Sequence, residues 1–287
     1  MTGEIVVHST IEGIRHRLAD DRARGSSVGF VPTMGFLHAG HRSLMARARS
    51  ENDVVVTSIF VNPLQFAPVE DLADYPRDLK RDTRLCVEAG VDVLFVPSVE
   101  EMYPDPVATS VTVAELSEVL EGTSRPTHFA GVATVVAKLF SIIGPCSAYF
   151  GEKDYQQLLV IRRLAADLSM PIRVVGCEIV READGLAMSS RNIYLSADDR
   201  ADAAVLRRAL DAGVASVEAG GSDPTEVEAV MAGVIAESER AVIDYVAAVS
   251  ATTLTTERPL AGDVRLLVAV RFDSTRLIDN AGCRVGA

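Results

Sequence analysis

The chemistry this sequence could perform is concentrated in a few side chains: His38, His41, Lys153, Arg191, Gln65 and Gln157. His38 and His41 bracket Ala39-Gly40 in the run VGFVPTMGFLHAGHRSL, residues 28–44. There an apolar, strand-like stretch ends at Pro32, a turn with Gly35 follows, and helical spacing resumes at Leu44, Met45 and Ala48. Two of the five histidines in the chain therefore stand at the start of a helix. Unpaired N–H groups and a partial positive charge at that end suit phosphate. Histidines three apart share a helix face and can reach one ligand, and Gly40 leaves the backbone between them open.

Two further segments could neutralise phosphate. Gly151-Glu152-Lys153-Asp154 follows a strand and precedes a helix, which lets Lys153 act as a point charge over a bound anion. Met188-Ser189-Ser190-Arg191 lies in a loop of small polar residues, and its hydroxyls and guanidinium could clamp a triphosphate. Gln65 and Gln157 are neutral and offer both donor and acceptor, which fits a ligand bearing hydroxyl and carboxylate. Tyr75, Asp82, Arg125 and His128 are lesser polar candidates, Asp82 either as a metal ligand or as a solvated helix charge. A serine nucleophile lacks its G-x-S-x-G elbow, and the G-x-x-x-x-G-K-[ST] phosphate loop is also missing from the sequence.

The elements that must position these residues alternate. Helical spacing over 8–24, the strand ending at Val31, an apolar β-branched run at Asp53–Val61, a charged helix over 78–89 and a strand at Val91–Val96 follow in turn. An S-x-x-E capping box at Ser98–Glu101, a short strand at Ser110–Val113, an apolar helix over Gly131–Ile143, a strand at Ala148–Phe150, a helix to about Leu168 and a strand at Ile172–Val175 continue the pattern. This is the signature of an α/β fold with a mostly parallel sheet, in which ligands bind beyond the carboxyl ends of the strands. The pattern changes near residue 184. A helix from the Ser196 capping box to Val217, a Gly220-Gly221-Ser222 linker, an Asp223-Pro224 helix start and strands at Ala241–Val249 and Arg265–Phe272 predict a smaller α/β unit, giving domains 1–184 and 185–287.

Composition narrows the partners. A formal net charge of −12 argues against non-specific nucleic-acid binding and against a polybasic membrane contact. The 48% hydrophobic content supports a full core, and no apolar run reaches the ~18 residues of a membrane span. Cys86, Cys146, Cys177 and Cys283 have no metal-ligand spacing and read as small buried residues of a reducing compartment, so a cytoplasmic setting is expected.

With these pieces assembled, the chain resembles the pantoate–β-alanine ligases. The fragments PTMGFLHAGH (32–41), FVNPLQF (60–66), DLADYPRD (71–78), RPTHFAGV (125–132), YFGEKDYQQL (149–158), VREADGLAMSSRNIYL (180–195) and the closing TRLIDN (275–280) run in family order. The resemblance implies a Rossmann-like first domain binding ATP and pantoate, with a HIGH-type nucleotidylyltransferase signature at His38–His41 and a KMSKS-like loop at Met188–Arg191. The second domain would be a lid. It implies AMP-forming condensation of pantoate with β-alanine, Mg²⁺ supplied with ATP, and a homodimer. It carries ATP contacts onto Met34, Gly35, Phe36, Leu37, His38, Ala39, Gly40, His41, Gly151, Glu152, Lys153, Asp154, Val180, Met188, Ser189, Ser190 and Arg191. Pantoate contacts fall on Gln65 and Gln157 with Asn62 nearby, and His41 takes the place of the proton donor.

Overall fold

The computed structural model describes residues 5–66, 72 and 75–286; Asp71, Ala73 and Asp74 of the DLADYPRD motif lie outside them. The chain divides into two compact units, Met1–Glu152 with Gln156–Glu178, and Lys153–Tyr155 with Ile179–Ala287. Against the expected boundary at 184/185, the break falls after Glu178, and residues 153–155 group with the second unit.

The first unit runs β1 (Val6–His8), α1 (Ile11–Ala23), β2 (Val28–Thr33), α2 (Ala39–Glu51), β3 (Val54–Ile59), α3 (Leu79–Glu88), β4 (Val93–Phe95), α4 (Val99–Met102), α5 (Glu121–Ser124), α6 (His128–Ile143), β5 (Cys146–Gly151), α7 (Tyr155–Asp167) and β6 (Ile172–Cys177). Its strands form one six-stranded sheet in the order β1-β4-β3-β2-β5-β6, with parallel pairing throughout. Alternate residues serve opposite faces. Phe30, Val54, Val56, Val93 and Phe95 pack into one core with α1, α6 and α7, while Val31, Val55, Leu94 and Tyr149 pack into another with α2 and α3. Both faces are therefore covered, as continuous apolar strands require. The strand order reverses direction between β2 and β5, which places the topological switch point there.

Three expectations change. Strand β2 does not stop at Pro32 but continues to Thr33, whose carbonyl accepts the Phe60 N–H at 3.0 Å. The backbone groups of Thr33 face β3, so those of Pro32 face β5, whose pairing with β2 is confined to Gly29 and Phe30. The missing N–H costs no ladder bond there. Residues 110–113 form no strand: Val111 N–H donates to the Thr134 side chain at 2.9 Å, and Val113 sinks into the core. The helix start expected at Ser98 is present and opens the four residues of α4, but the box is one-sided: Ser98 Oγ accepts the Glu101 N–H at 3.1 Å, while the Glu101 carboxylate accepts the Ile11 N–H at 2.7 Å.

The second unit contains α8 (Ala197–Asp202), α9 (Val205–Glu218), α10 (Pro224–Ile235) and an antiparallel sheet β7-β8-β9, formed by Ala241–Ser250, Asp263–Phe272 and Thr275–Arg284. The expected single helix from Ser196 to Val217 is two helices, α8 and α9. Strand β9 completes a meander whose Val264, Leu266, Val268, Val270, Leu277 and Ala281 face α9 and α10. The cysteines are unpaired, and burial pushes Cys86 and Cys146 up to about 12 and Cys177 and Cys283 up to about 11, so they are neutral thiols at pH 7.

Candidate active site

The His38–His41 segment follows β2 directly, at the carboxyl edge of the sheet beside the switch point. His38 is the N-cap of α2, with extended backbone at φ −136° and ψ −179°. Its Nδ1 accepts the Gly40 N–H at 3.1 Å, and the His38 N–H donates to Nδ1 of His41 at 3.3 Å. A backbone N–H can only donate, so both Nδ1 atoms are acceptors and each neutral imidazole carries its proton on Nε2. The ring centroids stand 4.1 Å apart, tilted by 51°. Gly40 has a reason beyond an open approach: a Cβ there would lie 2.9 Å from Nδ1 of His38 and displace the capping ring.

The turn before the helix is held from α3. Asp82, 1% exposed, accepts the Phe36 N–H at 2.7 Å on one oxygen and the Leu37 N–H at 2.8 Å on the other. It is thus not a solvated helix charge but a buried carboxylate that holds the turn. Two positive φ angles, +86° at Gly35 and +50° at Phe36, bend the chain so that these N–H groups face the carboxylate. Thr33 completes the turn, donating to Ser58 O at 2.8 Å and accepting from Gly35 N–H at 3.2 Å.

After β3, Asn62 and Gln65 form a second cluster. Asn62, 1% exposed, accepts from Tyr103 OH and Leu64 N–H and donates to Gln65 Oε1 and Gly131 O, at 3.0 to 3.3 Å. Its capacity is committed inside the protein, and its effect is to orient Gln65. Gln65 Nε2 lies 2.9 Å from Sδ of Met34, a weak acceptor, which joins this cluster to the His38 turn. Arg125 and His128 both converge on the Gln65 carbonyl, at 3.4 and 3.1 Å. Gly131 lets α6 press on the same backbone, since a Cβ there would sit 2.2 Å from Leu64 O.

On α7 the two adjacent glutamines differ. Gln156 is buried and bonds to Leu116 O, Val119 O and Glu121 N–H. Gln157 is half-buried, and its amide makes no hydrogen bond among the described residues. Gly151 and Glu152 end the first unit's part of this set, and Tyr75 packs edge-on against Phe66 with centroids 5.8 Å apart.

The second unit carries the remaining candidates. Lys153 is 17% exposed, with Nζ 3.7 Å from the Asp154 carboxylate. Its carbonyl accepts from Asn280 Nδ2 at 2.8 Å. Residues 180–188 form a tight hairpin: Met188 N–H donates to Val180 O at 3.0 Å, Arg181 bridges Ala187, and Gly185 turns the tip. Val180 and Met188, far apart in the motif, are thus backbone partners. Ser189 then caps a short 3-10 turn by accepting the Arg191 N–H at 3.2 Å, with Ser190 as its first residue, and Arg191 is exposed with no ion pair among the described residues. Asp82, Gly131, Gln156, Asp279 and Asn280 do structural work that spacing alone does not reveal.

Comparison with known proteins identifies the family. The chain matches the family model described as pantoate-beta-alanine ligase over residues 6–282. The pantothenate synthetase of Moorella thermoacetica is 54% identical over 271 residues, 94% of this chain and 96% of its own length. That of Rhizobium etli is 50% identical over 274 residues, 96% of this chain and 92% of its own. The crystal structure of pantothenate synthetase from Thermus thermophilus superposes with a TM-score of 0.92 at 51% identity, covering 96% of this chain and 99% of that one. The Francisella tularensis pantoate-beta-alanine ligase, solved with beta-gamma ATP and beta-alanine, gives 0.79 at 34% identity, covering 97% of both chains.

Proposed function

The chain belongs to the pantoate–β-alanine ligase family, and on that premise we propose how its residues divide the work of the reaction. The enzyme condenses pantoate with β-alanine at the expense of ATP, giving pantothenate, AMP and pyrophosphate through pantoyl adenylate. This is the last step of pantothenate biosynthesis.

A carboxylate resists attack by an amine because its oxygen leaves poorly, and adenylation converts that oxygen into a good leaving group. The pantoate carboxylate attacks the α-phosphorus of ATP and pyrophosphate departs, so the protein needs no nucleophile of its own. Its task is to place donors where charge grows on phosphate oxygens. In this reading His38 and His41 present their Nε2–H groups to those oxygens, with His41 as the proton donor. Lys153 and Arg191 supply fixed positive charge to the same nucleotide. Residues 34–41, the turn 151–154, Val180 and residues 188–191 complete the ATP contacts that the family resemblance carries over.

Gln65 and Gln157 bind pantoate. Among the described residues Gln65 Nε2 donates to a thioether, and a substrate oxygen is the better acceptor. Asn62 serves by orienting Gln65. The amine of β-alanine then attacks the acyl carbon of the adenylate and AMP leaves; water must be kept from that mixed anhydride. The β-alanine bound in the Francisella relative supports the choice of amine.

Magnesium enters as part of the ATP substrate. Among the described residues no group of three or more His, Cys, Asp or Glu side chains could hold a metal ion, and Mg²⁺ bound chiefly through substrate phosphates needs none. A cytoplasmic homodimer is carried over from the resemblance, with sedimentation as its test. No helix among the described residues is long and apolar enough to cross a membrane.

The observation that carries this reading is the reciprocal imidazole cap at the carboxyl end of β2. The test is AMP release by the purified chain with ATP·Mg²⁺, pantoate and β-alanine, each omitted in turn. Release that requires all of them supports it; sustained release without β-alanine contradicts it.

A further inference from the structure

Two adjacent residues of β9 hold the segments that carry Lys153 and Arg191, and they do so from opposite faces of the sheet. Asp279 pairs with Val268 and shares the α9–α10 face with Leu277 and Ala281, whereas Asn280 pairs with Leu267 on the other face. Asp279, 2% exposed, grips Arg181 bidentately, Oδ2 to Nη1 at 2.6 Å and Oδ1 to Nη2 at 3.0 Å. Arg181 also donates to Gly185 O at 3.0 Å across the hairpin that delivers Met188–Arg191. Asn280, also 2% exposed, donates from Nδ2 to Lys153 O at 2.8 Å. Its Oδ1 accepts from Arg265 Nε at 2.7 Å, and the Arg265 guanidinium covers the Tyr155 ring at 3.8 Å. Tyr155 OH in turn donates to Ala251 O at 2.8 Å. The Asn280 N–H closes the pair by donating to Asp279 Oδ1 at 2.8 Å.

We propose that Asp279 and Asn280 are positioning residues of the condensation: through one peptide step of β9 they fix the backbone of Lys153 and the base of the Val180–Met188 hairpin in mutual register. Both are 2% exposed and act through the segments they hold. The loop that bears Arg191 and the turn that bears Lys153 would otherwise be set independently, and a cation displaced by about an ångström can lose on the order of 100-fold in rate. The proposal rests on the roles assigned above to Lys153 and Arg191.

The test is a double-mutant cycle on the full-length chain, read as single-turnover pyrophosphate release with pantoate and ATP·Mg²⁺. Asn280→Asp removes the donor to Lys153 O while keeping the acceptor for Arg265. It is expected to slow adenylation about 10–100-fold, with the pantoate KM nearly unchanged. In a Lys153→Ala background the same replacement should cost less than about 3-fold, because the group it positions is gone. Asp279→Asn paired with Arg191→Ala provides a second cycle with the same expectation, should Asn280→Asp fail to fold. Equal losses in both backgrounds, or no loss in the parent, overturn the positioning role. A Lys153→Ala chain that adenylates at the parent rate overturns the Lys153 assignment and this proposal with it; a slow Lys153→Ala chain with additive cycles overturns the proposal alone.

Discussion

Nδ1 of His41 accepts the backbone N–H of His38 at 3.3 Å, while His38 caps the same helix with its own Nδ1. Each ring is therefore anchored through one nitrogen, and the proton is placed on the other. Capping and chemistry reside on different atoms of the same side chain, so they can be separated by substitution.

His38→Asn makes that separation. Asparagine is among the best N-cap residues, and its Oδ1 takes the place of the capping nitrogen, but it has no counterpart to Nε2–H. The melting temperature should stay within a few degrees of the parent while adenylation falls by about 10²–10³-fold, the usual loss for one oxyanion-type donor. Parental turnover in this variant would reduce His38 to a cap.

Asp82→Asn tests the support of the turn. An amide can accept one of the two N–H groups of Phe36 and Leu37 but presents N–H to the other. An unsatisfied buried donor costs about 1–3 kcal/mol, so urea unfolding should register a loss of that order. Adenylation should fall as well, because Phe36 and Leu37 lead directly into His38. Loss of stability at full activity would show that the turn reforms without the carboxylate.

Gly131→Ala acts on the pantoate side. Its Cβ would meet Leu64 O at 2.2 Å, and backbone cannot yield as a side chain can. Overpacking of this kind costs about 1–3 kcal/mol and would shift Gln65. Steady-state kinetics should show a raised KM for pantoate with the KM for ATP little changed. Equal rises in both would place the damage elsewhere.

Glu51 supplies a pH dependence. Hydrogen bonds from Arg47, from Tyr149 OH at 2.9 Å and from Arg173 at 2.6 Å tie the end of α2 to β5 and β6. They hold its carboxyl down to about 2 from a usual 4.5. Because the folded value lies below the unfolded one, this contribution is complete above about 4.5 and is lost as the pH falls toward 2. Melting temperatures between pH 6 and pH 3 (about the range of that loss) should fall less steeply for Glu51→Gln than for the parent. Identical slopes would exclude the linkage.

Much of this was legible in the sequence, because strand periodicity and motif spacing are local properties. The parallel sheet and the helix start at His38 follow from such patterns. What was not legible depends on long-range partners. Pro32 looks like a stop until the register shows that its nitrogen faces the side where β5 pairing has ended. Ser110–Val113 reads as a strand because its apolar alternation cannot reveal that Thr134, on α6, satisfies Val111 instead. Asp82 reads as a metal candidate or a solvated helix charge and Asn280 as part of a motif; only the fold brings them to the Phe36–Leu37 turn and to Lys153.

The account depends most on the imidazole at position 41, and the most direct measurement is rapid-quench formation of pantoyl adenylate by folded His41→Ala beside Lys153→Ala. A fall of about 10²–10³-fold in the single-turnover rate of each, with AMP release by the parent still dependent on β-alanine, is the predicted result. Adenylate formation near the parent rate in either variant would contradict the division of labour described here.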